Sequence, residues 1–167
     1  MSRAPAKVLE PDDLCRVLKH VKTQRHPIRN QTIVLLSFKA GLRACEIAGL
    51  SWSMILKSDY TVSDVMYVSK AIAKKGSFRH IPINAELKTA LKELHKALGQ
   101  PRAGPVVQSE RGGHMTPASI VNYFGRLYAD LELSGCSSHS GRRTFITNAA
   151  KALSPVSYTH LTLPTKA

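Results

Sequence analysis

Ser137-Ser138-His139-Ser140-Gly141-Arg142-Arg143-Thr144-Phe145 places a histidine and an arginine three residues apart. Ser137 or Ser138 is suited to cap a helix whose first turn holds His139 and Arg142. Side chains three apart share one helix face, so the imidazole and the guanidinium point the same way. Both stand where the free N–H groups of a helix start favour an anion. An arginine fork matches two phosphate oxygens, and a histidine can move a proton near neutral pH. The pairing points to phosphate chemistry. The plainer alternative is a surface helix start, since His-x-x-Arg arises by chance in many helices.

Composition narrows the choice. A chain of 167 residues makes one domain with room for a core, and a hydrophobic fraction of 43% is ordinary for a globular protein. No apolar run is long enough to cross a bilayer. Met1-Ser2-Arg3-Ala4-Pro5 lacks the apolar core of a signal peptide. Cys15, Cys45 and Cys136 are odd in number and widely spaced. That spacing fits neither a disulfide framework nor a zinc site, and suits a reducing cytoplasm. Lys plus Arg number 24 against 11 acids, a formal charge of +13. Such a surface gathers polyanions, nucleic acid above all. A basic RNA-binding structural protein would share that charge.

Outward from the quoted stretch, the chain reads as mostly helical. Residues 1–10 read as a loose lead-in. Glu10-Pro11-Asp12-Asp13 is a helix start, followed by Leu14, Val17, Leu18 and Val21 at helical spacing. Pro27 opens a second helix, dense enough in Ile33, Val34, Leu35, Leu36 and Phe38 to be buried. Gly41 can end it in a left-handed cap. In the helical segment Leu42-Arg43-Ala44-Cys45-Glu46-Ile47, Glu46 lies three residues from Arg43 and can hold its guanidinium. The alternative is an ordinary surface ion pair. Trp52 to Leu56 reads as a short strand, and Val62 to Ala73 contains a second. Lys74-Lys75-Gly76-Ser77 is a turn into a third strand, Phe78 to Ile83. Lys74 and Lys75 thus lie at a hairpin tip, where an ammonium can reach a phosphate. Asn84 caps a helix striped by Leu87, Leu91, Leu94 and Leu98. Thr116 and Pro117 open another, whose Tyr123 and Phe124 read as packing rather than base stacking. His20 and His26 read as solvent-facing.

Three segments then stand in order. Gly41-Leu42-Arg43-Ala44-Cys45-Glu46-Ile47 lies on a helix, Lys74-Lys75-Gly76-Ser77-Phe78-Arg79-His80-Ile81-Pro82 on a hairpin, and His139 to Phe145 on a late helix. Together they resemble the catalytic domain of the tyrosine recombinases, the phage integrase family, over about Glu10 to Leu153. The resemblance implies an α+β fold, mostly helical, with a small antiparallel three-stranded sheet. It implies that Arg43 is the first catalytic arginine and Glu46 the acid that steadies it. Lys74, or Lys75 if the turn is shifted, matches the lysine that protonates the leaving 5′ oxygen. His139 and Arg142 match the histidine and the second arginine. Two arginines can neutralise the non-bridging oxygens of a pentacoordinate phosphate as charge develops. A covalent phosphotyrosine conserves the bond energy, so neither metal nor ATP is called for and no cofactor is expected. The implied activity is site-specific recombination or integration through a 3′-phosphotyrosyl intermediate. The implied partner is double-stranded DNA, bound by homo-tetramers on paired sites, in the cytoplasm with the nucleoid.

The sequence departs from the family pattern twice. The catalytic domain, residues 1–153, begins almost at Met1, with no N-terminal core-binding domain ahead of it. The nucleophilic tyrosine is expected roughly thirty residues past Arg142, after two further helices of ~11 residues. Tyr158 is sixteen residues on (158 − 142), in a Thr- and Pro-rich stretch without a helical stripe. It is therefore read as not the nucleophile, and His160 as not the family's further histidine. Residues 154–167 read as a non-family tail, poorly ordered. The expectation is a truncated recombinase domain that binds DNA without cutting it. The alternative is a non-catalytic DNA-binding module or accessory protein.

Overall fold

The computed structural model describes residues 4–73 and 78–153. In chain order they form α1 (Pro11–Val21), α2 (Pro27–Ala40), α3 (Ala44–Gly49), a 3-10 turn (Trp52–Met54), β1 (Val65–Val68), β2 (Arg79–Pro82), α4 (Ala85–Ala97), α5 (Pro117–Asp130) and α6 (Ser140–Ala152). The mostly helical α+β fold is the one expected.

The centre of the molecule is α2. Ile33, Val34, Leu35 and Leu36 are all fully buried, as are Thr32 and Ser37. A helix apolar on every side must be covered on every side. α4 and α6 pack against it, α1 closes it at the start, and α3 leans on α5. Each buried aliphatic contributes roughly 1.5–3 kcal/mol relative to exposure. Caps set the entry of α4 and α5. The Asn84 side chain accepts from the Leu87 N–H at 2.8 Å ahead of α4, and Thr116 accepts from the Ser119 N–H at 3.1 Å ahead of α5. Tyr123 and Phe124 are buried, so the aromatic pair is packing.

Two glycines let α2 and α6 meet. Gly141 lies against Ser37 so closely that a Cβ there would overlap the Ser37 Oγ. Gly41 has φ +66°, the left-handed conformation that ends α2, and a Cβ on it would stand 2.5 Å from a ring carbon of Phe145. The register of α6 on α2 is therefore set on both sides of Arg142.

Four expectations are corrected. Among the described residues the sheet has two antiparallel strands, not three, with Tyr67 opposite His80 and Val68 opposite Arg79. Trp52–Leu56 begins as a 3-10 turn rather than a strand. Trp52 and Ile55 are the fully buried residues there, a spacing of three, and the Ile55 N–H closes onto the Trp52 carbonyl at 3.0 Å. The lead-in is not loose over its described part. Leu9 is buried and donates its N–H to Thr144 Oγ1 at 3.0 Å, while the Lys7 N–H reaches the Gly135 carbonyl at 3.0 Å. Finally, α6 starts at Ser140, so neither Ser137 nor Ser138 caps it. The Ser137 Oγ instead accepts from the His139 N–H at 3.2 Å, forming a tight turn ahead of the helix.

Candidate active site

The site lies where the end of α2, the start of α3, β2 and the start of α6 converge. Gly41 turns the chain out of α2, and the Leu42 N–H folds back onto the Leu36 carbonyl at 3.1 Å. Leu42 is fully buried and pins the turn. Arg43 follows in extended conformation as the residue ahead of α3. Its half-buried side chain makes no hydrogen bond among the described residues.

Glu46, in the first turn of α3, is fully buried. Its Oε1 accepts the Arg43 backbone N–H at 2.8 Å. The carboxylate braces Arg43 as expected, but through the backbone. The guanidinium it grips is that of Arg79. Arg79 Nη1 donates to Glu46 Oε2 at 2.5 Å, and Arg79 Nη2 donates to Oε1 at 2.8 Å. This fork-to-fork geometry is the strong form of the pair. Burial pushes the Glu46 carboxyl up, and the Arg79 fork together with the Arg43 N–H outweighs that, holding it below its ordinary value. From the other end of α3, His114 Nδ1 lies 2.8 Å from the Ala48 carbonyl. A carbonyl only accepts, so Nδ1 carries the proton.

Arg142 sits in the first turn of α6 and donates from Nη1 to the Gly41 carbonyl at 2.6 Å. That bond crosses from α6 to the α2–α3 junction and brings the second arginine beside the first. Burial lowers the Arg142 pKa, and the positive charges of Arg43 and Arg79 lower it further, against a pull from Glu46. Among the described residues the three guanidiniums therefore share one electrostatic neighbourhood with Glu46. His139 is exposed immediately ahead of α6, three residues before Arg142. Arg143 is exposed one position round the helix.

Of the residues picked from sequence, Arg43, Glu46 and Arg142 come together, and His139 stands at the start of α6, three residues ahead of Arg142. Lys74, Lys75, Tyr158 and His160 lie outside the described residues. Arg79 was missed. Its signal was available: Arg79, Ile81 and Ile83 alternate on one strand face, and both isoleucines are buried. An arginine on an inward face needs a buried acid.

The family model described as the phage integrase family matches residues 7–158. This chain belongs to the phage integrase family. Comparison with curated proteins found no match. Among solved structures, the Tn1549 transposon integrase in complex with a circular-intermediate DNA is similar at 21% identity, TM-score 0.71, over 91% of this chain and 55% of that one. A lambda integrase dimer bound to a COC′ core site is similar at 20% identity, TM-score 0.71, over 96% of this chain and 45% of that one. A lambda integrase tetramer bound to a Holliday junction is similar at 20% identity, TM-score 0.70, over 93% and 46%. The integrase-family chain spans about half the length of these structures. At such identities the likeness is one of fold, the tyrosine recombinase catalytic fold. No helix of the described residues is long and apolar enough to cross a membrane.

Proposed function

We propose that this chain carries the phosphate-binding centre of a site-specific DNA recombinase and takes duplex DNA as its partner. The observation that supports this is the Arg142–Gly41 bond, which sets Arg142 beside Arg43 at one basic site. In this reading the two guanidiniums bind the non-bridging oxygens of the scissile phosphate. They stabilise the charge that builds as the phosphorus becomes five-coordinate. His139, at the same helix start, and Lys74 or Lys75 from the hairpin supply proton transfer. The DNA-bound relatives and the +13 charge favour a nucleic-acid partner. The assembly that acts is a homo-tetramer on paired sites.

The 167-residue chain by itself binds DNA without cutting it. Among the described tyrosines, Tyr123 is buried with its hydroxyl on Gln24, and Tyr128 is buried. Burial raises the pKa of both, the wrong direction for a nucleophile. Tyr60 lies against Arg102, and Tyr67 packs with Phe78 and His80. Tyr158 stands too close in sequence to Arg142 to be the family's tyrosine.

The test has two readouts. Fluorescence anisotropy on a 30-base-pair duplex should show affinity falling about 10³-fold between 50 and 200 mM salt, as for six neutralised phosphates. A flat profile would reject the DNA partner. Incubation with nicked duplex should give no SDS-resistant adduct, and an adduct mapped to Tyr158 would overturn the non-cutting assignment.

A further inference from the structure

We propose that Arg79 is a positioning residue whose task is to occupy Glu46, so that the Arg43 and Arg142 guanidiniums stay free for a phosphate. The inference rests on the phosphate-binding role proposed for those two arginines.

Glu46 is the acid of the site and is fully buried. A buried carboxylate takes the nearest cation it can reach. Arg43 lies three residues away, immediately ahead of the same short helix, and its charge acts on Glu46. The field of Glu46 also reaches Arg142. Either arginine is therefore a possible partner, and either pairing would remove one of the two positive forks. Arg79 prevents this by geometry. It comes from a separate element, β2, on the inward strand face it shares with Ile81 and Ile83, and it satisfies both carboxylate oxygens at once. The remaining capacity of Oε1 goes to the Arg43 backbone N–H, which aims that residue without engaging its side chain. Arg43 and Arg142 thereby keep a combined +2 beside the Arg79–Glu46 pair. Arg142 spends one donor on the Gly41 carbonyl, which fixes its direction while leaving the rest of its fork unused among the described residues.

This role makes a prediction that simple bracing does not. With Arg79 gone, Glu46 turns on Arg43 or Arg142. With Arg79 and the Glu46 charge both gone, nothing competes for the two arginines. The experiment uses the full chain and sodium orthovanadate, a five-coordinate phosphate mimic, with binding measured by calorimetry. Circular dichroism checks the fold of each variant. Arg79→Met should weaken vanadate binding roughly 10- to 100-fold, the effect of losing one charge-assisted contact. Arg79→Met/Glu46→Gln should recover binding to within about threefold of the parent. Arg79→Lys, which keeps the charge but loses the fork, should fall between parent and Arg79→Met.

Unchanged binding in Arg79→Met, or a double variant no better than the single one, would overturn the inference while leaving the phosphate site intact. If vanadate binding by the parent does not depend on Arg43 and Arg142, the phosphate-binding reading itself fails, and this inference with it.

Discussion

Gly141→Ala is the most direct test of how α6 delivers its arginine. The added Cβ would overlap Ser37 Oγ and stand 2.7 Å from Ser37 Cβ and 3.0 Å from the Ser37 carbonyl carbon. The hydroxyl can rotate away. The Cβ and the backbone carbon cannot, so α6 must lift by roughly 0.5–1 Å. Overpacking of this kind costs about 1–3 kcal/mol. The helix preference of alanine over glycine returns up to ~1 kcal/mol. The net loss is about 1–2 kcal/mol, which lowers Tm by roughly 2–8 °C in a domain this size. The lift also stretches the 2.6 Å bond from Arg142 to the Gly41 carbonyl toward the limit of hydrogen bonding. A displacement near 1 Å in a positioned group can cost about 10²-fold in function. Calorimetric melting reads the first effect and vanadate affinity the second. Ser37 Oγ is buried without a partner among the described residues, so Ser37→Ala should be neutral or mildly stabilising alone; it keeps the Cβ and the backbone carbon, so it should not rescue Gly141→Ala. A Gly141→Ala protein that melts at or above the parent temperature would refute the claim of close helix contact.

Other outcomes follow from the same geometry. Arg43→Ala and Arg142→Ala should each nearly abolish vanadate binding, whereas Arg143→Ala, at an exposed position, should leave it within about twofold; equal losses at all three would refute the assignment by side. The Glu46 carboxyl titrates below its unfolded value, so the unfolded chain binds more protons between the two pKa values. Its contribution is complete above about pH 4.3 and is lost as pH falls through the lower folded value. Urea titrations from pH 7 to 3 should therefore show a flatter acid decline for Glu46→Gln than for the parent, and parallel curves would contradict the Arg79–Glu46 tie. Thr144→Val removes the acceptor of the buried Leu9 N–H and should cost about 1–3 kcal/mol by denaturant unfolding, against near zero if the lead-in were loose.

The primary sequence determined the helices and the order of the site segments because those signals are local. Pro11, Pro27 and Pro117 mark helix starts, Asn84 and Thr116 supply caps, and the run from Ile33 to Phe38 demands burial wherever it lies. Gly41 announced a left-handed end to α2, and it has one. His139 and Arg142 three residues apart were enough to suggest phosphate chemistry, and the chain order of the segments bearing Arg43, Lys74, His139 and Arg142 was enough to suggest the family. Tertiary structure decided which charge meets which. Sequence spacing put Glu46 with the Arg43 side chain, yet the carboxylate holds Arg79, thirty-three residues away, because a fork arriving from β2 satisfies both oxygens at once. It likewise decided that Trp52 enters a 3-10 turn, since burial of Trp52 and Ile55 on one side outweighs a short strand preference. The place of Arg142 also belongs to the fold. Its reach to the Gly41 carbonyl depends on two glycines, 100 residues apart (141 − 41), that let α6 close on the end of α2. A short motif states which donors are present, and the packing distance between two helices states where they point.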